Sequence, residues 1–279
     1  MEFYDIRLSF SRNAADDDTE RYFQLCVHDN QANASLKKMP DVWNFCSQAC
    51  NQDFDRFPRW LWNYDISKTS SDKFILMMQY ALTDFHLNCL APSKAVNDER
   101  TPYIENIIPP FKAFPKLFDI FSFTWCEKTL TAKKFLFISY TRRPSKLADG
   151  IGKLQGSDTE MLIIESSGLN PHLMHSKRRS TATNQQHNTT LKQRKIFGIH
   201  IIQNTMTLTE TSIKNEKRYR FVELRTATVP TTWDKCMHWV KVFELIATLY
   251  VKRLTETLDG EAAGLIEVAE TNTVRHVLQ

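Results

Sequence analysis

The sequence predicts an α/β (α+β) fold in which a mixed β-sheet is flanked by helices and preceded by an N-terminal extension of mixed character. Three observations lead to this prediction. Residues 130–168 alternate with the two-residue period of β-strands, and helical patterns lie before and after them. A polar stretch, residues 169–194, then separates these strands from two further strand-like segments, as the crossover connection of a mixed sheet would.

The helical patterns come first along the chain. From Asp72, the sequence DKFILMMQYALTDFHLNCL repeats apolar residues at helical spacing. A second helix is predicted to begin at Pro102 and to end at the Pro109–Pro110 pair, because proline suits the first turn of a helix and interrupts its interior. Glu105 lies at the edge of the apolar stripe of this helix, so its carboxylate could face solvent or point inward at a site. A last amphipathic helix is predicted over residues 233–258.

Three consecutive strands follow the first two helices in this prediction. They are KKFLFISYT (133–141), LADGIGKL (147–154) and EMLIIESS (160–167), which are separated by Pro144 and by a turn-like QGSD sequence. The third contains a continuous apolar run, which suits a central strand buried on both faces. After the polar stretch, KIFGIHIIQNTMTLTETSI and RYRFVELRTATV again favour strands.

Composition limits the class of protein. A chain of 279 residues with 42% hydrophobic residues can bury an ordinary core, and its 18 Phe and 6 Trp argue against disorder. We divide it into an N-terminal extension (1–65), a core domain (66–258) and a loosely ordered tail (259–279). We find neither a secretory signal nor an apolar stretch of membrane-spanning length, and therefore expect an intracellular protein, nuclear or cytoplasmic, without a membrane partner.

The distribution of charge says more than its sum. The formal charge of +4 does not by itself indicate nucleic acid. The stretch from Asn170 to Lys195, however, carries six cations and no acid, a pattern that fits either a solvated surface or a segment that contacts phosphates. These cations are Lys177, Arg178, Arg179, Lys192, Arg194 and Lys195.

Two carboxylates occupy positions that could carry chemistry. Asp149 lies in the second predicted strand and is followed by Gly150, which would leave room beside the carboxylate. Glu165 lies at the end of the third strand, where a buried carboxylate is costly unless it has a partner. An Asp-Gly pair is more often a turn or strand-end feature than a ligand. Together, however, two carboxylates at adjacent strand ends can share Mg²⁺ or Mn²⁺.

With these residues, the chain resembles the PD-(D/E)xK nuclease superfamily over about residues 98–250. Stretches such as ERTPYIENIIPPFK, SFTWCEK, KLADGIGKL and MLIIESSG also resemble a set of fungal (Mucoromycota-type) proteins. The resemblance implies a restriction-endonuclease-like core with magnesium and nucleic acid as ligands. It matches Asp149 and Glu165 to the metal-binding acids of the second and third strands, and Glu105 to the acid of the first helix.

The chain departs from this family pattern at Ser167. The family has a lysine at that position, whose ammonium orients the attacking water and offsets charge on the scissile phosphate, and a hydroxyl cannot do the same. Lys146, Lys153 or Lys177 could substitute for it from a neighbouring position. The sequence therefore leaves two hypotheses: a magnesium-dependent nuclease-like enzyme acting on DNA or RNA, and a catalytically inactive nucleic-acid-binding or protein-interaction module on the same fold.

The cysteines predict no further site. Cys46 and Cys50 lie four residues apart on a predicted helix, which would place both thiols on one face. Without a His or Cys partner nearby in the sequence, they do not predict a zinc site.

Overall fold

A six-stranded mixed sheet organises the computed structural model, and helices pack against it. The structure describes residues 35–68, 71–91, 100–128, 147–156, 158–167, 195–215 and 218–262. The predicted α/β class, a mixed sheet flanked by helices, is therefore confirmed.

The strands lie in the sheet in the order in which they occur along the chain. They are β1 (Phe121–Lys128), β2 (Ala148–Leu154), β3 (Glu160–Ser167), β4 (Lys195–Ile202), β5 (Thr205–Asn215) and β6 (Arg218–Thr228). All neighbouring pairs are antiparallel except β3 and β4, which are parallel. A parallel pair needs a crossover connection, and the residues that provide it, 168–194, lie outside the described residues.

The strand predictions were right for β2, β3 and β6, whereas the single segment predicted from Lys195 forms two antiparallel strands, β4 and β5, and β1 was missed. The predicted strand over residues 133–141 lies outside the described residues. The strand that pairs with β2 is instead β1, which the sequence analysis did not identify as a strand. Its Phe121, Phe123 and Trp125 alternate along one face, where the rings of Phe123 and Trp125 stack with centroids 4.9 Å apart.

The longer helices are α1 (Pro40–Ala49), α2 (Phe57–Asn63), α3 (Asp72–Leu90), α4 (Ile108–Phe118) and α5 (Trp239–Ala262). Helices α3 and α5 agree with the predicted patterns, α1 contains the helix predicted around Cys46, and α2 was not predicted. The bounds of α3 are those of the predicted segment. Helix α5 follows a 3-10 turn over Trp233–His238 and continues beyond the predicted end at residue 258.

The Pro109–Pro110 pair does not end its helix, so that prediction was wrong. Both prolines lie in the first turn of α4, where a backbone N–H is not needed. The preceding residues, Tyr103–Ile107, wind as a π-helix. Proline 109 cannot donate to the carbonyl of Glu105, and this oxygen instead accepts a hydrogen bond from the Asn88 side chain, 2.8 Å away. The chain therefore stays helical on both sides of the prolines, with a π-helical segment directly before the α-helix that contains them.

The two faces of the sheet differ in what covers them. One face packs against the helices and forms the core with them; in β4 it presents Phe197, Ile199 and Ile201, all at most 1% exposed. We call the other the far face. It carries Ile163 and Glu165 of β3 and His200 of β4, because neighbouring residues of a strand point to opposite faces. The far face therefore presents the predicted acid of β3.

The N-terminal region contributes to the same core as the sheet. Val42, Phe45 and Cys46 of α1 and Leu61 of α2 are fully buried in the cluster that contains the helix-covered face of the sheet. The backbone N–H groups of Ser35 and Leu36 donate to the carboxylate of Glu244 on α5, at 2.8 and 2.9 Å.

Candidate functional site

Asp149 and Glu165 lie side by side across β2 and β3. The antiparallel register pairs Gly150 with Ile164, and one residue further it sets Asp149 opposite Glu165. The Ser166 backbone N–H donates to Asp149 Oδ2 at 2.7 Å, which fixes the carboxylate of Asp149 at the end of β3. Side chains directly opposite each other in an antiparallel pair point to the same face. The structure thus brings the two predicted acids together on the far face, where both are half-buried.

The glycine after Asp149 has a different role from the one expected of it. A Cβ on Gly150 would lie 3.0 Å from the ring of Trp125 and 3.3 Å from the Cβ of Ile164. The missing side chain therefore makes room for a tryptophan on the helix-covered face. It does not leave space beside the carboxylate.

His200 extends the acidic pair to a third strand. The parallel register of β3 and β4 pairs Glu165 with His200, whose side chain is exposed. An imidazole ring, which can accept or donate a proton, thus lies next to the acids in the row Asp149–Glu165–His200. The sequence analysis missed His200. Its alternation with buried Phe197, Ile199 and Ile201 could have placed it on the polar side of β4, but no local signal sets the register of a parallel pair.

Tyr103, in the π-helical segment, lies in the core that the helices form with the sheet. Burial raises the pKa of Tyr103, and the negative charge of Asp149 raises it further. Its hydroxyl is buried and has no hydrogen-bond partner within the part of the chain that the structure describes. Within ERTPYIENIIPP, Tyr103 is thus a residue whose ionisation depends on Asp149, and it was not selected from the sequence.

Glu105, the acid predicted on this helix, lies between the buried positions Tyr103 and Ile107 and is itself half-buried. Among the described residues, no group of three or more His, Cys, Asp or Glu side chains is arranged to hold a metal ion. The convergence of Glu105 with Asp149 and Glu165 therefore stays a prediction.

Two of the predicted cations lie within the described residues, and each has an acidic partner. Lys153 Nζ bonds Asp158 Oδ1 at 2.9 Å at the β2–β3 hairpin. It lies four residues beyond Asp149, or about 13 Å along an extended strand. Lys195 Nζ, at the start of β4, lies 3.6 Å from the buried carboxylate of Glu210. The other predicted cations lie outside the described residues: Lys146, Lys177, Arg178, Arg179, Lys192 and Arg194.

Ser167 is the last residue of β3, and its backbone pairs with Ile202 of β4. The position where the resemblance predicts a lysine is thus two residues beyond Glu165 on the same strand, within reach of the acidic pair. Lys153 of β2 and Lys195 of β4 lie near the start of β3, away from Ser167, and contact Asp158 and Glu210. Lys128 of β1 pairs with Ala148, the residue before Asp149.

The donor set suits a hard divalent cation. Carboxylate oxygens are the ligands that Mg²⁺ and Mn²⁺ prefer, and Mg²⁺ is usually bound through one or two carboxylates with water and phosphate oxygens completing its shell. Two adjacent carboxylates on one face meet this minimum. The hydrogen bond from Ser166 holds one of them in place, which reduces the entropy lost when a cation binds.

Comparison with known proteins finds no matching family model, curated protein or solved structure. The structure itself describes a mixed α/β protein with an acidic pair on the far face of its sheet. No helix in the described ranges combines the length and apolar character needed to span a bilayer.

Proposed function

We propose that the chain is a magnesium-dependent nuclease-like protein that acts on phosphodiester bonds of DNA or RNA. One observation carries the proposal: Asp149 and Glu165 are opposite each other on adjacent strands, and Asp149 is held by the Ser166 N–H at 2.7 Å. The parallel β3–β4 pair supports it as well, since the resemblance implies a mixed sheet.

Asp149 and Glu165 would hold Mg²⁺ or Mn²⁺, with Glu105 as a further candidate ligand. A bound cation of this kind activates water and stabilises charge that develops on a phosphate. The chain's own groups have separate roles. Ser166 orients Asp149, and the His200 imidazole, opposite Glu165, can hold or pass a proton at the edge of the site. The basic residues from Lys177 to Lys195 would border the path of the nucleic acid.

Metal binding is the first test, because it does not depend on the substrate. Calorimetric titration of the full chain with Mn²⁺ or Mg²⁺ should give a binding isotherm. Asp149→Asn and Glu165→Gln should each raise the dissociation constant at least tenfold, since even groups that only support a ligand contribute about 10–100-fold. Asp158→Asn is the matched control: this carboxylate is exposed at the hairpin and should not matter. A wild-type chain that binds neither cation, or acid variants that bind as the wild type does, would refute the metal site.

The second candidate function is a binding module that has lost cleavage. It is favoured by Ser167 at the lysine position and by the engagement of Lys153 with Asp158. Loss of one preorganised group that stabilises charge costs about a hundredfold or more in rate, whereas carboxylates alone supply the affinity for the cation. Metal binding and turnover should therefore separate in this chain.

Ser167→Lys distinguishes the two functions. Magnesium-dependent cleavage of plasmid or single-stranded nucleic acid that appears only in Ser167→Lys would indicate an eroded nuclease site. Strong wild-type cleavage that Asp149→Asn abolishes and Ser167→Lys leaves unchanged would indicate an active enzyme.

A separate experiment tests the nucleic-acid partner. Joint replacement of Lys177, Arg178 and Arg179 should weaken binding of nucleic acid and lower the dependence of that binding on salt. If the affinity for nucleic acid and its salt dependence do not change, these three residues belong to a solvated surface that does not contact nucleic acid.

A further inference from the structure

Three cysteine thiols meet between α1 and the 3-10 turn that precedes α5. Cys46 and Cys50 lie one turn apart on the same face of α1, and Cys50 is its C-terminal cap. Cys236 comes from the turn Trp233–His238. Cys50 Sγ lies 3.3 Å from the backbone carbonyl oxygen of Cys236. The thiols of Cys46 and Cys236 both lie within hydrogen-bonding distance of Cys50 Sγ. All three are free thiols.

The three thiols are not equivalent. Cys46 and Cys236 are buried, whereas Cys50 is partly exposed. Hydrogen bonds from the thiols of Cys236 and Cys46 lower the pKa of Cys50, although burial opposes this shift. The same contacts with Cys50, together with burial, raise the pKa of Cys46 and of Cys236. The accessible thiol is therefore also the first to become a thiolate, which is the nucleophilic form of cysteine.

We propose that this cluster is a peroxide-sensitive modification site, in which hydrogen peroxide oxidises Cys50 and Cys236 then closes a disulfide to it. In the first step the Cys50 thiolate attacks one peroxide oxygen and the O–O bond breaks. The other oxygen leaves as hydroxide and takes up a proton, so that Cys50 is oxidised to a sulfenic acid and the peroxide is reduced to water.

In the second step the sulfur of Cys236 attacks the sulfur of Cys50. The S–O bond breaks, and the hydroxyl group leaves as water with the proton of the Cys236 thiol. The products of this step are one uncharged disulfide and one water molecule. It requires no oxidant beyond the single peroxide molecule.

Cys236 is the resolving thiol because of its position. The Cα atoms of residues four apart in a helix are about 6 Å apart, a distance that a disulfide allows. Their Cα–Cβ bonds, however, are parallel and do not converge, so Cys46 is badly placed to close a bond to Cys50. Cys236 lies on another element whose backbone already contacts the Cys50 sulfur. Oxidation would thus join α1 to the turn before α5, residues separated by 186 positions.

This disulfide would tie the N-terminal helix to the C-terminal part of the core. A cross-link that closes a long loop restricts the unfolded chain most, so the oxidised protein should be the more stable form. The site does not depend on the acidic pair of the far face, and its test is independent of any nuclease activity.

Peptide mapping of the full wild-type chain tests the proposal without a variant that could fail to fold. After treatment with stoichiometric hydrogen peroxide and blocking of the remaining thiols, mass spectrometry should find a Cys50–Cys236 disulfide. The melting temperature should rise, and a thiol reductant should reverse the rise. In Cys236→Ser, dimedone should label the sulfenic acid of Cys50.

Cys126 is the internal control, because it is an exposed thiol on β1 without this cluster around it. Cys126→Ser should leave the cross-link and the rise in melting temperature unchanged. The proposal is overturned if Cys126 is oxidised faster than Cys50, if the cross-link joins Cys46 to Cys50 or Cys89 to Cys236, or if no intramolecular disulfide forms.

Discussion

Glu244 on α5 and Asp149 on β2 show how two carboxylates in one fold differ in what remains available to a ligand. Glu244 accepts from the N–H groups of Ser35 and Leu36, from Thr248 and from the guanidinium of Arg225, and is 5% exposed. Asp149 is half-buried, accepts one hydrogen bond from the described residues and lies beside a second acid. A carboxylate surrounded by donors stabilises the fold, whereas a carboxylate beside another acid can gain a cation.

The largest expected effect comes from removing the surrounded carboxylate. Glu244→Ala would remove the carboxylate that lies 3.4 Å from the buried Arg225 Nε and that accepts from the backbone N–H groups of Ser35 and Leu36. Breaking a buried ion pair in this way costs about 3–5 kcal/mol of unfolding free energy, which chemical denaturation measures. Glu244→Gln should cost less, because its amide oxygen still accepts one of the N–H groups.

Asp158→Ala provides the control for loss of a negative charge at an exposed position, and it should lower stability far less than Glu244→Ala, because an exposed ion pair contributes little. A Glu244→Ala chain as stable as this control would mean that the network around Glu244 does not hold the N-terminal segment to α5.

The elements and half of the site were predictable because their signals are local. The helical spacing of α3 and the alternation in β3 and β4 are properties of short segments, and the short hairpin makes β2 and β3 neighbours. The register that sets Asp149 opposite Glu165 also includes a shift between Gly152 and Lys153, which was not predicted. Strand β1 was missed because the segment 133–141 has a longer alternating pattern, and periodicity does not tell which of two segments pairs with β2.

The remaining members of the site depend on tertiary packing. His200 joins Glu165 only through the parallel register of β3 and β4, which the crossover and the core determine. Tyr103 lies in a π-helical segment whose winding the sequence pattern does not show, and its pKa depends on Asp149 only through the folded structure. Cys236 reaches Cys50 across 186 residues of sequence. No short-range pattern encodes any of these contacts.

The two faces of β3 can be compared directly with a matched pair of substitutions. Ile164 is fully buried on the helix-covered face, and Ile163, its neighbour, is half-buried on the far face. Ile164→Ala should cost about 2–5 kcal/mol of unfolding free energy, as core truncations do. Ile163→Ala should cost less than half of that free energy, because folding buries less apolar surface at Ile163 than at Ile164. Equal costs in chemical denaturation would show that both faces are packed alike.

The smallest expected effect is a change in pH dependence on the far face. Glu223, on β6 opposite Thr209, is half-buried, and burial raises the pKa of its carboxyl group. The folded chain therefore keeps this proton to a higher pH than the unfolded chain, whose glutamates titrate near 4.3. Stability should fall as the pH rises from the ordinary glutamate pKa through the raised one, because the folded state then binds more protons than the unfolded state.

Glu223→Gln removes this titration. The variant should be more stable than the wild type at neutral pH by a few tenths of a kcal/mol, a small gain because solvent screens this half-buried group. The gain should disappear below about pH 4, where the wild-type carboxyl is protonated in both states.

Asp158→Asn is the control with the opposite sign. The hydrogen bond with Lys153 lowers the pKa of Asp158, so the stability that this acid contributes is present at neutral pH and lost in acid. Thermal unfolding of both variants between pH 3 and 8 measures the two slopes. If both variants change stability with pH in the same direction, burial is not what distinguishes Glu223 from an exposed, paired acid.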